Sequence, residues 1–401
     1  MGKTIIICCD GTGNSDTGVA SNVKQLFDFL LNDRVTQITT YHRGVGTEPR
    51  GSLSWWSYWR VHLAELCFGD GIDETLAELY GWLAAEYRPG DRLFLFGFSR
   101  GAFTVRALAG MLHVIGLLKP DQDVTAGEVV RLYGESEARI AAERRRLGLP
   151  PVFGPCEIDH AAMDPTAREF AARHTQPCVI DFLGLWDTVK AYGWVVPKSF
   201  PALRHNTSVR TVRHAVALDE RRALFQMTGW PSAHIDVKEV WFAGDHSDVG
   251  GGHTTGNSPL ADASLCWMLG EAWAAHVRLD PAAKDRIAGV DRRSADAART
   301  RAKGLWQRCV FFVPGCLPRV ELDNRTYPPA RPWRVWPFGA RKPADHAFGT
   351  KVCVHDSVDA SRLTGVEVCR VADVKITWKK DEANQFEPLN TRSTSRATAE
   401  T

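Results

Sequence analysis

A serine between two glycines, Gly97-Phe98-Ser99-Arg100-Gly101, stands where a run of strand formers meets a helical pattern. Residues 93–96 are four apolar residues in a row, introduced by the turn signal Pro89-Gly90-Asp91, and read as a buried strand. From Ala102 the apolar spacing becomes helical, with Val105, Leu108, Ala109 and Leu112 on one face. A Gly-x-Ser-x-Gly in that context is a sharp strand-to-helix turn that exposes a serine hydroxyl, and its glycines let the two backbones come close. The helix that follows offers N–H groups and the positive end of its dipole to an oxyanion developing beside the serine. Such a serine is a nucleophile for acyl transfer, and it needs a base and an acid that orients the base. The alternative is a glycine-flanked turn with an incidental serine.

The base and the acid must come from the elements around it. Extended segments are clearest at 4–9, 36–41, 93–96, 178–186 and 238–243, and helical patterns lie near 21–32, 71–87, 102–117, 125–146, 214–226 and 259–276. Strands alternating with helices predict an α/β fold, a mostly parallel sheet covered by helices on both faces. In such sheets functional residues gather at the carboxyl ends of strands. Four of the five strand ends here carry polar or glycine-rich clusters: Asp10-Gly11-Thr12-Gly13-Asn14, Ser99, Trp186-Asp187-Thr188, and the run from Gly244-Asp245-His246-Ser247-Asp248 to Gly252. Their order along the chain is Ser, Asp, His, the order of an α/β-hydrolase triad.

The bulk properties narrow the class. The chain has 401 residues, 44% hydrophobic and 24% charged, which is ample for a large core. A net charge of +2 gives no reason to expect a nucleic-acid partner. No window of 18 apolar residues exists, so no transmembrane segment is expected. The N-terminal apolar run is too short for a signal peptide, which predicts a protein made in the cytoplasm with its ten cysteines reduced. One domain over residues 1–385 is expected, with insertions near 48–70, 121–176 and 280–350 acting as cap or lid, and a disordered tail over 386–401.

Five motifs then occur in a fixed order: "CCDGTGNS", "YHRGVGT", "GDRLFLFGFSRGAFTVRALAG", "FLGLWDTV" and "VWFAGDHSDVGGG". Together they resemble a bacterial family of uncharacterised α/β-hydrolase domains that includes phospholipases delivered as type VI secretion lipase effectors. The likeness runs from residue 4 to about 275, with a fainter echo at 354–363. It implies an α/β-hydrolase fold with cap or lid insertions, phospholipase A activity on an ester or phospholipid substrate, no cofactor, and export without a signal peptide. It sets Ser99 on the nucleophile, Asp187 on the acid and His246 on the base. A rival pairing takes Asp248 as acid and His355 as base, because the commonest hydrolase arrangement draws both from the last two strands. The oxyanion site is expected from the amide of Arg100, next after the nucleophile, and from the Gly11 and Thr12 loop, with Asp10 tying that loop down. An esterase on small or carbohydrate-linked esters, or a non-catalytic interaction protein on the same scaffold, are the other readings.

Two further chemistries fail on residue type. The Cys8-Cys9-Asp10-Gly11-Thr12 run resembles the phosphatase pattern Asp-x-Asp-Gly-Thr, but a thiol stands where the nucleophilic carboxylate belongs and holds magnesium poorly. Asp245, Asp248 and His253 match no metal-ligand spacing, so no metal is expected. Cys8 reads as a small core residue. Fourteen tryptophans are many, and Trp55, Trp56 and Trp59 stand beside Arg60 in one short stretch, a combination that suits a bilayer interface. Replacing Trp55 and Trp56 by alanine is therefore expected to weaken liposome binding in a flotation assay while hydrolysis of a soluble short-chain ester is unchanged. Undiminished binding would remove the membrane role.

Overall fold

The computed structural model describes residues 2–11, 20–44, 71–148, 164–189, 206–220, 235–252, 259–294, 351–356, 358, 367–371, 376, 378–380 and 386–388. Its strands are β1 (Thr4–Cys9), β2 (Gln37–His42), β3 (Arg92–Phe98), β4 (Leu117–Leu118), β5 (Thr175–Gln176), β6 (Ile180–Trp186), β7 (Thr211–Ala217), β8 (Asp236–Phe242), β9 (Lys351–His355), β10 (Glu367–Val371), β11 (Trp378–Lys380) and β12 (Phe386–Pro388). Eight of them form one sheet in the order β2-β1-β3-β6-β7-β8-β9-β10, and every neighbouring pair is parallel. The helices are α1 (Asn22–Phe29), α2 (Ile72–Glu86), α3 (Arg100–Val114), α4 (Ala126–Arg146), α5 (Pro165–His174), α6 (His246–Gly250), α7 (Pro259–Ala274) and α8 (Lys284–Ser294).

Side-chain alternation along the central strands makes two cores, one on each face. Ile6 and Cys8 of β1, Phe94, Phe96 and Phe98 of β3, and Phe182 and Trp186 of β6 face the core that holds α1 and α7. Ile5, Ile7 and Cys9, Leu93 and Leu95, and Leu183 and Leu185 face the core built with α2, α3 and α4. Strands buried on both faces read as continuous apolar runs, which is why β1 and β3 stand out in the sequence. The expected α/β-hydrolase architecture, a parallel sheet flanked by helices, is the one the chain adopts.

The chain leaves β1 for β2 on one side, then crosses to β3 on the other and continues outward. The strand order therefore reverses at β1 and β3, and a crevice opens there above the carboxyl ends. Ser99 directly follows β3, and Asp10 and Gly11 directly follow β1.

Several expectations need correction. The 214–226 stretch, expected to be helical, begins inside strand β7, and its last part, 221–226, lies outside the described residues. β7 carries Arg213 and His214 in its interior, and its alanines mimic a helical pattern; carboxylates of Glu271, Asp236 and Glu239 and the Thr188 amide satisfy the two polar side chains. Of the tail expected over 386–401, Phe386–Pro388 pairs antiparallel with Trp378–Lys380, which gives its backbone groups partners, and residues 389–401 lie outside the described residues. The 121–176 insertion contains α4, whose Val129, Val130 and Tyr133 are buried in the core against α2 and α3. The insertion near 48–70 lies outside the described residues, and that near 280–350 is described only over 280–294.

Helix α7 is buried around almost its whole circumference, from Leu260 to Trp273, so its one charged residue near the sheet must be paired. Glu271 bonds the guanidinium Nε of Arg213 on β7, while Lys238 Nζ on β8 reaches Glu271 Oε1 at 3.0 Å. Arg213 Nη2 also donates to Asp236 Oδ2 at 2.7 Å, and these carboxylates hold its guanidinium above its usual pKa against the opposing effect of burial. Glu271→Ala leaves a buried arginine with one carboxylate partner and is expected to cost about 3 kcal/mol in a urea unfolding titration. A loss below about 1 kcal/mol would mean that Asp236 alone suffices.

Candidate active site

The strand-to-helix turn has the geometry that its glycines imply. Ser99 takes φ 58° and ψ −122°, a left-handed backbone rare for a side chain, and immediately precedes α3 without a side-chain capping bond. A Cβ on Gly97 would lie 2.6 Å from Ala102 Cα, and one on Gly101 would lie 2.2 Å from the Cys9 carbonyl oxygen. Neither position admits a side chain, because β3, α3 and β1 touch there through backbone. The amide of Ser99 donates to the Trp186 carbonyl at 3.1 Å, which fixes the turn against the end of β6. Arg100 opens α3, so its amide belongs to the positive end of that helix.

Asp187 follows β6 and is fully buried. Its φ of 38° is again left-handed. Its amide donates to the Ala215 carbonyl at 2.8 Å, and its Oδ1 accepts the Ala217 amide at 3.0 Å. Oδ2 meets Nδ1 of His246 at 2.6 Å, a short contact between a carboxylate and an imidazole that are both shielded from water.

His246 starts from the end of β8, three strand positions from β3, or roughly 14 Å at ordinary strand spacing. The segment 244–252 closes that gap by running back across the top of the sheet. Gly244 exchanges bonds with Asp219, its amide meeting Oδ2 at 2.8 Å and its carbonyl the Asp219 amide at 2.9 Å. Asp245 caps α6, accepting the amides of Ser247 and Asp248 at 3.0 Å each, and Asp248 Oδ2 accepts the Asp245 amide at 3.2 Å in return. The His246 ring then lies on Phe98, centroids 4.6 Å apart, one residue from Ser99. A Cβ on Gly250 would be 1.9 Å from the same Phe98 ring. Asn22 Nδ2 and Ser264 Oγ both donate to the Val249 carbonyl, at 2.9 and 2.5 Å, and Gly251 bridges to Ser21 beside β1.

The structure thus puts Asp187 and His246 in contact at the carboxyl edge of the sheet, with the His246 ring on Phe98, the residue before Ser99. It uses the rival residues differently. Asp248 closes the cap of α6, and His355 stacks on Phe242 with centroids 4.6 Å apart. Three strands separate β9, which carries His355, from β3, and that is roughly 19 Å of sheet. A base must stand within hydrogen-bond reach of the hydroxyl it deprotonates, which favours His246.

Asp10 is almost fully buried and accepts from three donors: the Gly11 amide at 2.7 Å, Ser21 Oγ at 2.5 Å and Tyr41 Oη at 2.8 Å. One expectation for the oxyanion site is altered by this. The Gly11 amide is directed to Asp10, because the carboxylate on the preceding residue is the nearest strong acceptor. What Gly11 supplies is room, since a Cβ there would lie 3.0 Å from Ser99 Cβ. Thr12 lies outside the described residues, as do Trp55, Trp56, Trp59 and His253. Among the described residues no cluster of His, Cys, Asp and Glu could hold a metal ion, and no helix is long and apolar enough to cross a membrane.

Sequence reasoning did not single out Phe98, Glu220, His214 or Glu239. Phe98 was visible as the bulky residue before the serine, but its role depends on a loop from a distant strand. Glu220 Oε2 accepts the His246 amide at 3.3 Å.

With this geometry in place, comparison with known proteins is direct. A model of the family described as type VI secretion system (T6SS) phospholipase effector Tle1-like, catalytic domain, matches residues 3–271. The chain belongs to that family. An uncharacterised protein of Saccharomyces cerevisiae is 31% identical over 239 residues, 56% of this chain and 32% of the relative, so the likeness is not confined to bacteria. The match spans about a third of that relative's length. A solved structure of the Tle1 effector bound to the VgrG spike of the type VI secretion system aligns with a TM-score of 0.35 at 19% identity, covering 63% of this chain and 51% of that one. An uncharacterised protein from Pseudomonas aeruginosa aligns with a TM-score of 0.37 at 20% identity, covering 70% and 47%.

Cys8 and Cys9 lie beneath this Tle1-like site with essentially no exposure. Burial, and then the neighbouring Asp10 charge, push the Cys9 thiol far above its ordinary range, and Cys8 rises for the same first reason. Neither is a thiolate near neutral pH. Iodoacetamide at pH 8 is expected to leave both unmodified in the folded protein and to alkylate both after denaturation, as read by peptide mass spectrometry. Native-state alkylation of Cys8 would place a reactive thiol in the site.

Proposed function

We propose that this chain is a serine hydrolase of carboxylic esters, with Ser99 as nucleophile, His246 as base and Asp187 as the acid that orients it, and that phospholipids are its substrates. The observation that carries the reading is the 2.6 Å contact between Asp187 and His246, whose ring lies on Phe98 next to the left-handed Ser99. Membership of the Tle1-like family supports the phospholipid.

The chemistry follows from the contacts. Asp187 engages Nδ1 of His246, so Nε2 is the nitrogen that serves as base. Ser99 Oγ attacks the ester carbonyl carbon as its proton passes to Nε2, and the carbonyl π electrons move onto oxygen. The Arg100 amide at the start of α3 stabilises that oxyanion. Collapse expels the alcohol, a lysophospholipid in this reading, which takes the proton from Nε2. Water, deprotonated by His246, then releases the fatty acid from Ser99. Asp187 stabilises the imidazolium at both stages. The family likeness also supports synthesis in the cytoplasm and export without a signal peptide.

Labelling with a fluorophosphonate probe tests the serine directly. Wild type is expected to label, Ser99→Ala not at all, and His246→Ala and Asp187→Asn on the order of a thousand-fold more slowly. Fatty-acid release from phosphatidylcholine vesicles should fall in parallel. A His246→Ala variant that labels at the wild-type rate would sink the assignment of the base. A wild type that labels but leaves vesicles intact would sink the phospholipid.

A further inference from the structure

A second buried histidine stands directly behind the proposed acid. His214 of β7 has no exposed surface, and both its ring nitrogens are engaged. Nε2 accepts the backbone amide of Thr188 at 3.2 Å. Nδ1 lies 3.0 Å from Oε1 of Glu239, the residue opposite His214 in the β7–β8 register. A backbone N–H can only donate, so Nε2 carries no proton. Nδ1 therefore holds it and donates it to the Glu239 carboxylate. These partners select one neutral tautomer and one ring orientation.

Thr188 is the residue after Asp187, and this is where the sheet pairing changes. The β6–β7 ladder ends at Trp186 opposite Ala215. Asp187 then turns into the left-handed region, and the next amide, that of Thr188, is directed to the His214 side chain. Thr188 is fully buried, so without His214 its N–H would have no acceptor from water. The same three positions of β7 grip the turn throughout: Ala215 takes the Asp187 amide, Ala217 bonds its Oδ1, and His214 takes the Thr188 amide.

We infer that His214, oriented by Glu239, is a positioning residue that holds the Asp187–Thr188 peptide so that the Asp187 carboxylate meets His246. The kinetic side of this rests on the hydrolase reading; the structural side does not. His214 touches no substrate and acts through Asp187 alone.

The test pairs His214→Leu with His214→Gln in the full chain. Leucine removes the acceptor. Glutamine keeps a carbonyl oxygen that can take the Thr188 amide. The first readout is the far-downfield proton NMR resonance of the short His246–Asp187 hydrogen bond, which needs no turnover. The second is kcat and KM on a soluble ester. His214→Leu is expected to lose the resonance and to lower kcat on the order of ten- to a hundred-fold with KM nearly unchanged, while His214→Gln keeps the resonance and most of kcat. A folded His214→Leu that retains both overturns the inference. So does a folded His214→Gln as impaired as the leucine variant, or a wild type without the resonance. If His214→Leu does not fold, Glu239→Leu leaves the ring in place without its orienting carboxylate and is expected to weaken the resonance and kcat together; no change in either overturns the inference. If wild type neither labels nor hydrolyses, the hydrolase reading fails, and the resonance still decides the role of His214.

Discussion

The packing of Phe98 beneath the His246–Gly250 helix decides whether a site exists at all. Strand order separates β8 from β3 by two intervening strands, too far for a side chain on one to meet a hydroxyl on the other. The segment after β8 must therefore double back, and Phe98 is the surface it lands on. The ring takes the imidazole on its face and requires glycine at 250. Asn22 and Ser264 hold the returning segment from the α1 and α7 side through one carbonyl, that of Val249. Since α7 is itself tied to β7 and β8 through Glu271, a buried ion pair well away from Ser99 helps set where His246 stands.

Strain is concentrated at two of the three residues brought together. Ser99 and Asp187 both adopt left-handed backbones that cost about 1–3 kcal/mol each in a residue with a side chain. Each is held by bonds from the next strand over: Ser99 by the carbonyl of Trp186, Asp187 by Ala215 and Ala217. The two are linked in series, because Trp186 immediately precedes Asp187. β6 thus restrains the serine turn at its last residue while β7 restrains the aspartate turn. A rigid, all-parallel sheet is the frame that makes such turns reproducible, and it explains why the chemistry-bearing residues lie at its carboxyl edge.

Much of this was legible in the sequence because it depends on local rules. Apolar runs mark β1 and β3, the glycine pair marks the turn at Ser99, and the rule that strand ends carry function singles out Asp187 and His246, which the fold puts in contact. What escaped depends on long-range satisfaction of polar groups. β7 was hidden because Arg213 and His214 break the apolar run of a buried strand, and only Glu271, Asp236, Glu239 and the Thr188 amide make them acceptable there. Gly11 was read from its place after β1 as an oxyanion donor, yet its amide goes to Asp10, a competition between two acceptors that spacing does not reveal. Asp248 and His355 were reasonable from position alone. Asp248 is drawn instead into a capping box, and His355 is kept on β9 by the width of the sheet.

The charge around His246 has a direction that suits the chemistry proposed for it. Asp187 meets the ring, while Glu220 accepts the backbone amide of the same residue. Both carboxylates are buried, so their field on the imidazole is screened less than it would be at the surface. A positive charge forming on His246 is thereby stabilised from two sides. The capping carboxylate of Asp245 meanwhile spends its Oδ1 on the α6 amides rather than on the ring. On the other side of the crevice, Asp10 is satisfied by three donors, and burial together with that carboxylate keeps the Tyr41 hydroxyl from ionising. Negative charge near Ser99 is therefore tied up by hydrogen bonds on the β1 side and aimed at the imidazole on the β6 side, which suits the oxyanion role proposed for the partial positive end of α3.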